Sequence, residues 1–112
     1  MSGATQPPFP VLVLGAGRMA LRIARMLGGD ARFAPVLAMR EGDGPAGADG
    51  LNRLPPLTGS LHEALSTALR GQRAVILADP TLPAPDVARA AIAAGCHYLD
   101  IAESAASGAA IA

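Results

Sequence analysis

Gly15, Gly17 and Ala20 stand in the run Val11-Leu-Val-Leu-Gly-Ala-Gly-Arg-Met-Ala20, a Gly-x-Gly-x-x-Ala spacing that suits the pyrophosphate of a dinucleotide. Gly15 permits a tight turn, and Gly17, having no Cβ, lets backbone come close to phosphate oxygens. Ala20 is small enough for a following helix to lie against the preceding strand. The N–H groups around Arg18 and Met19, at the positive end of that helix's dipole, would then face the anion. With 13 glycines in the chain the pattern alone is weak. Its position after an apolar strand and before a run of helical period gives it meaning. The plainer reading is a glycine turn that only packs a helix on a sheet.

The elements that must position this turn are legible on either side of it. Val11 to Leu14 read as a buried strand, and residues 16–27 as the first helix, closed by Gly28-Gly29-Asp30. Residues 33–40 read as a second strand. Residues 41–50 form a glycine-rich polar loop where a full mononucleotide unit often has a helix. A short third strand is expected over 51–57, held to a sheet edge by Pro55-Pro56. Ser60-Leu-His-Glu63 matches a capping box opening a helix over 61–70, with Gly71 as its stop. A fourth strand over 74–78, a helix over 86–94, a fifth strand over 97–102 and the start of a helix over 103–112 complete the pattern. This alternation predicts an α/β, Rossmann-like fold: a parallel sheet of about five strands in the order 3-2-1-4-5, with helices on both faces. Ligand would bind at the switch point between strands 1 and 4.

Composition narrows the classes. At 112 residues the chain is one domain, with residues 1–10 as a loose lead-in and the nucleotide-binding unit over 11–112. Its only aromatic residues are Phe9, Phe33 and Tyr98, so the core must be built from Leu, Val, Ile and Ala. Nine basic and nine acidic residues give no net charge and no sign of a nucleic-acid partner. One cysteine, Cys96, excludes an internal disulfide and a multi-cysteine metal site, and no metal ligand set is apparent. No signal peptide or membrane span is expected, which points to the cytoplasm.

The end of the second strand should meet the adenosine ribose, where an acidic residue favours NAD and an arginine accommodates the 2′-phosphate of NADP. The chain has Met39-Arg40-Glu41 there. Met39 stands where an acid would be sought and cannot serve, whereas Arg40 could pair with a phosphate and stack on adenine. NADP is favoured. Glu41, one residue on, keeps NAD open as the alternative, and a solvated strand end is the plain reading of Arg40. With Ala78 and Asp79 at the carboxyl end of the fourth strand, the candidate cofactor contacts are Gly15, Ala16, Gly17, Arg18, Met19, Arg40, Ala78 and Asp79.

The segment Val87-Ala-Arg-Ala-Ala-Ile-Ala-Ala-Gly-Cys-His-Tyr-Leu-Asp-Ile-Ala-Glu103, with Ala-Gly-x-His-Tyr-x-Asp at its centre, resembles the amino-terminal domain of the saccharopine dehydrogenase-like oxidoreductases. Together with Val-Leu-Gly-Ala-Gly and Arg40, the likeness runs through most of residues 10–103. The resemblance implies an NAD(P)-linked oxidoreductase with an amino-acid-like or lipid-like substrate, and a second, larger domain supplying most of the substrate site. A homo-oligomer partner is the other expectation. Asp79-Pro80-Thr81-Leu82 departs from the family's Gly-Pro or Ala-Pro followed by an aromatic, and the 41–50 loop is a second departure.

Hydride transfer belongs to the nicotinamide, while the protein positions it and moves protons. His62, His97, Cys96, Tyr98, Asp79 and Asp100 are the residues able to do such work. His62 reads as a solvated helix residue, His97 as a backbone or capping partner, Cys96 as a small buried thiol and Tyr98 as core. Asp100 stands near the carboxyl end of the fifth strand, and turn chemistry accounts for Asp79. None is nominated as catalytic. The expectation is a cofactor half-site with little or no turnover alone. Two rivals are a free-standing nucleotide-sensing module and a Rossmann domain kept only for assembly.

Overall fold

The computed structural model describes residues 7–40 and 50–101. Seven elements alternate along the chain: β1 (Phe9–Leu14), α1 (Arg18–Gly28), β2 (Phe33–Ala38), α2 (Leu61–Ala68), β3 (Ala74–Leu77), α3 (Ala84–Ala93) and β4 (His97–Asp100). The strands form one parallel sheet in the order β2-β1-β3-β4.

The period of two along β1 divides the core. Val11 and Val13 pack with Ala20 and Ala24 of α1, while Leu12 and Leu14 pack on the other face with Leu65 of α2 and Val87 and Ala91 of α3. Helices therefore cover both faces. The largest fully buried side chains are all Leu or Val, among them Leu12, Leu14, Leu37, Leu65 and Leu77. An aliphatic core without buried aromatic rings follows directly from the composition.

The sheet differs from expectation at its edge. It has four strands rather than five, because residues 51–57 make only two isolated parallel bridges with the β2 segment, Leu37↔Arg53 and Arg40↔Leu57. The reason is Pro55-Pro56. Leu37 donates its N–H to Asn52, and Leu54 donates back to Leu37, as a parallel ladder requires. The next donor should be residue 56, but proline has no N–H, and Leu57 bonds the Met39 carbonyl instead. The ladder slips by one residue and no strand forms.

Several boundaries also move. The first strand begins at Phe9, inside the expected lead-in, with Phe9 and Pro10 in register with Phe33 and Ala34. The second strand stops at Ala38, leaving Met39 and Arg40 beyond it. The first helix starts at Arg18 rather than residue 16, since Gly17 is an extended N-cap. The α2 helix opens as expected, with Ser60 Oγ accepting from the Glu63 N–H at 3.2 Å, and it ends at Ala68. The α3 helix opens at Ala84, two residues before the expected start, because Pro85 in its first turn favours initiation. Most of the 41–50 loop and the helix expected over 103–112 lie outside the described residues.

Candidate functional site

The carboxyl ends of β1, β2 and β3 converge on Gly15. Its N–H donates to the Ala38 carbonyl at 2.9 Å, and the Ala78 N–H donates to Leu14 at 2.9 Å. The backbone of Gly15 has φ +148°, a conformation that L side chains rarely adopt. A Cβ there would lie 3.1 Å from the Ala20 Cβ and 3.2 Å from the Ala78 carbonyl carbon. Gly15 and Ala20 are thus coupled by packing, and a side chain at the base of the turn would be both strained and tightly crowded.

Gly17 presents the opposite geometry. Its φ of −80° is open to any residue, and a Cβ on it would meet nothing within 4 Å. It faces open space. As the N-cap of α1 it supplies no side-chain hydrogen bond, and the first turn of the helix carries no acidic residue. The opening N–H groups of a helix have no intrahelical acceptor. Those of Arg18, Met19 and Ala20 therefore offer an anion site, with exposed Arg18 beside them and the helix dipole behind. The start of α2 differs, since Ser60 already caps it. Ala16 is half-buried between the two glycines, and Met19 is 53% exposed. The residues present fit a pyrophosphate: a bare backbone turn, unclaimed N–H donors and a nearby cation.

Met39 is buried in the cluster beneath α1 and is turned away from the edge. Arg40 is exposed, and its Nη1 donates to Thr81 Oγ1 at 2.7 Å. Thr81 in turn donates its N–H and its hydroxyl to Asp79 Oδ1, at 2.8 and 2.6 Å. Asp79, with 8% of its surface exposed, follows Ala78 directly at the end of β3. The residues expected at the switch point are thereby drawn together: the Gly15–Ala20 turn, Ala78, Asp79 and Arg40. Thr81 was not among them. Its spacing from Asp79 is that of an Asx-type turn, but its contact with a residue 41 positions earlier leaves no local mark in the sequence. Beside Arg40 and Thr81 a groove of about 370 Å³ is lined by Leu57, Thr58, Gly59 and Pro83.

The other candidates lie elsewhere. The Cys96 thiol, at the amino edge of the sheet, is buried and donates to the Gln72 carbonyl at 3.2 Å, and burial pushes its pKa up. His97 is exposed at the start of β4, where its N–H donates to Arg73. His62 is exposed on α2. Tyr98 packs against the α2–α3 core, and desolvation, with the charge of Asp100, pushes its phenol up to about 12. Among the described residues no group of three or more His, Cys, Asp or Glu side chains could hold a metal ion, and no helix is long and apolar enough to cross a membrane.

No family model and no curated protein sequence matches the chain. Solved structures do. Apo saccharopine dehydrogenase (L-Glu forming) from Saccharomyces cerevisiae superposes on 87% of this chain with a TM-score of 0.69 and 22% identity. The fold is Rossmann-like. A short-chain dehydrogenase/reductase (wide type) from Veillonella parvula, in complex with NADP, covers 89% of the Rossmann-like chain with a TM-score of 0.64 and 15% identity. A second Veillonella parvula short-chain dehydrogenase/reductase structure covers 90% with the same TM-score and 16% identity. The chain spans 22% of the yeast enzyme's length and 50% of the Veillonella parvula proteins'. The family resembled by the Gly95–Asp100 segment is therefore represented among structures of this fold.

Proposed function

We propose that this Rossmann-like domain is the dinucleotide-binding part of a saccharopine dehydrogenase-like oxidoreductase, taking NADP(H) in preference to NAD(H). The observation that carries the reading is the combination at α1: an N-terminus with no cap and no acid, opening from a glycine turn at the junction of three strand ends. The pyrophosphate would sit on the N–H groups of Arg18, Met19 and Ala20, against Ala16 and Gly17, with Gly15 keeping the turn tight. Ala78 and Asp79 would border the ligand from the β3 side. Arg40, at the β2 end, is the group for the adenosine 2′-phosphate. When bound, the nicotinamide supplies hydride transfer, and this domain's part is to hold and orient it.

Substrate chemistry on this reading needs polypeptide outside the dinucleotide-binding unit, in keeping with the greater length of the structural neighbours. Little or no turnover is expected from these 112 residues. The test is calorimetric titration of the purified chain with NADPH and with NADH, since the absence of Trp leaves little intrinsic fluorescence to follow. Saturable binding with NADPH preferred supports the proposal, and Arg40→Asp should then weaken NADPH more than NADH. Absence of heat and of thermal stabilisation with either nucleotide contradicts it.

A further inference from the structure

Asp79, Thr81 and Arg40 form a chain of hydrogen bonds with a fixed direction. The Thr81 hydroxyl has one proton, and at 2.6 Å from Asp79 Oδ1 that proton is committed to the carboxylate. The Thr81 N–H donates to the same oxygen at 2.8 Å, so the threonine is held by two bonds. Only the lone pairs of Oγ1 remain, and they accept from Arg40 Nη1 at 2.7 Å. Asp79 is buried at the end of β3, whereas Arg40 is exposed beyond the end of β2. The network thus anchors a mobile type of side chain on one side of the switch point to a rigid group on the other.

We infer that Thr81, set by Asp79, is the positioning residue that aims Arg40 and so determines the preference between a nucleotide bearing a 2′-phosphate and one without it. The inference rests on the dinucleotide reading above. An exposed arginine samples many rotamers, and ordering it at the moment of binding costs affinity. Thr81 orders it beforehand. Among the described residues only Nη1 is engaged, so Nε and Nη2 remain for a bidentate phosphate contact. The neighbouring groove, with Leu57 and Pro83 on its walls, gives room beside the guanidinium for the adenosine end of the ligand.

The test compares NADPH and NADH affinities for the full chain carrying Thr81→Val, Thr81→Ser, Arg40→Ala, or Thr81→Val with Arg40→Ala. Thr81→Val should weaken NADPH about tenfold and NADH by less than about twofold. Serine, which keeps the hydroxyl, should restore the preference. In the Arg40→Ala background Thr81→Val should cost nothing more, because the two residues act as one unit. Circular dichroism checks each fold, with Thr81→Ala in place of valine if the latter does not fold. If Arg40→Ala lowers NADPH affinity while the Thr81 variants do not, the positioning role is overturned and the dinucleotide reading stands. Equal loss for both nucleotides, or a wild type without NADPH preference, also overturns it. A wild type that binds neither nucleotide overturns both.

Discussion

Gly15 packs backbone to backbone against Ala78: a Cβ on the glycine would lie 3.2 Å from the Ala78 carbonyl carbon and 3.3 Å from its oxygen. Two loops at the carboxyl edge of the sheet are therefore in contact at a point where a methyl group would force its neighbours to give by a few tenths of an ångström. With φ at +148°, strain adds to the clash. Gly15→Ala should destabilise the fold by roughly 1–3 kcal/mol, read as a lower urea midpoint at unchanged slope. An unchanged midpoint would mean that the loops are not packed in this way.

Gly17 separates stability from binding. Aspartate at this position would cap α1 and complement its dipole, raising stability by about 0.5 kcal/mol. The same carboxylate would occupy and repel the place of a phosphate. Gly17→Asp should thus melt slightly higher than wild type and bind NADPH more than about tenfold less well. Thermal melts and titrations on the same samples check both halves.

Ionic strength should distinguish the two nucleotides. Arg40 is exposed, so its attraction for a 2′-phosphate is screened at about 8 Å in physiological salt. NADPH affinity should fall more steeply than NADH affinity as salt rises, and the difference should vanish in Arg40→Ala. Parallel slopes in the wild type would remove Arg40 from the ribose end.

Alkali should weaken the fold through Tyr98. Desolvation and the charge of Asp100 hold its phenol up to about 12, against about 10 in an unfolded chain. Below the unfolded value both states keep the proton and the full stability is present. As pH rises toward the folded value the unfolded phenol ionises first, so stability falls. The buried Cys96 thiol, raised by desolvation, acts in the same direction. Between about pH 8 and about pH 11 the urea midpoint should drop less for Tyr98→Phe than for wild type.

How much of this was legible in the sequence depended on the range of the interaction. The β1–turn–α1 unit was readable because apolar run, glycine spacing and helical period all act over neighbouring residues. So was the Ser60 cap. Pro55-Pro56 marked a weak edge strand correctly in kind but not in degree, since one missing donor was enough to slip the ladder onto Leu57. The helix expected from residue 86 begins at Ala84, because proline in a first turn belongs to the helix. Met39 cannot serve the ribose by its chemistry, but its burial under α1, continuing the alternation of Leu37 just past the end of β2, shows only in the structure. The Arg40–Thr81 contact was invisible, because it exists only once β2 and β3 flank β1.

Backbone amide chemical shifts of the isotope-labelled chain, followed by NMR during NADPH addition, report where on the domain the nucleotide sits. Saturable shifts should concentrate at Gly15 to Ala20, with smaller ones at Arg40, Ala78, Asp79 and Thr81. Shifts centred on another surface, or none at saturating nucleotide, would contradict the dinucleotide reading.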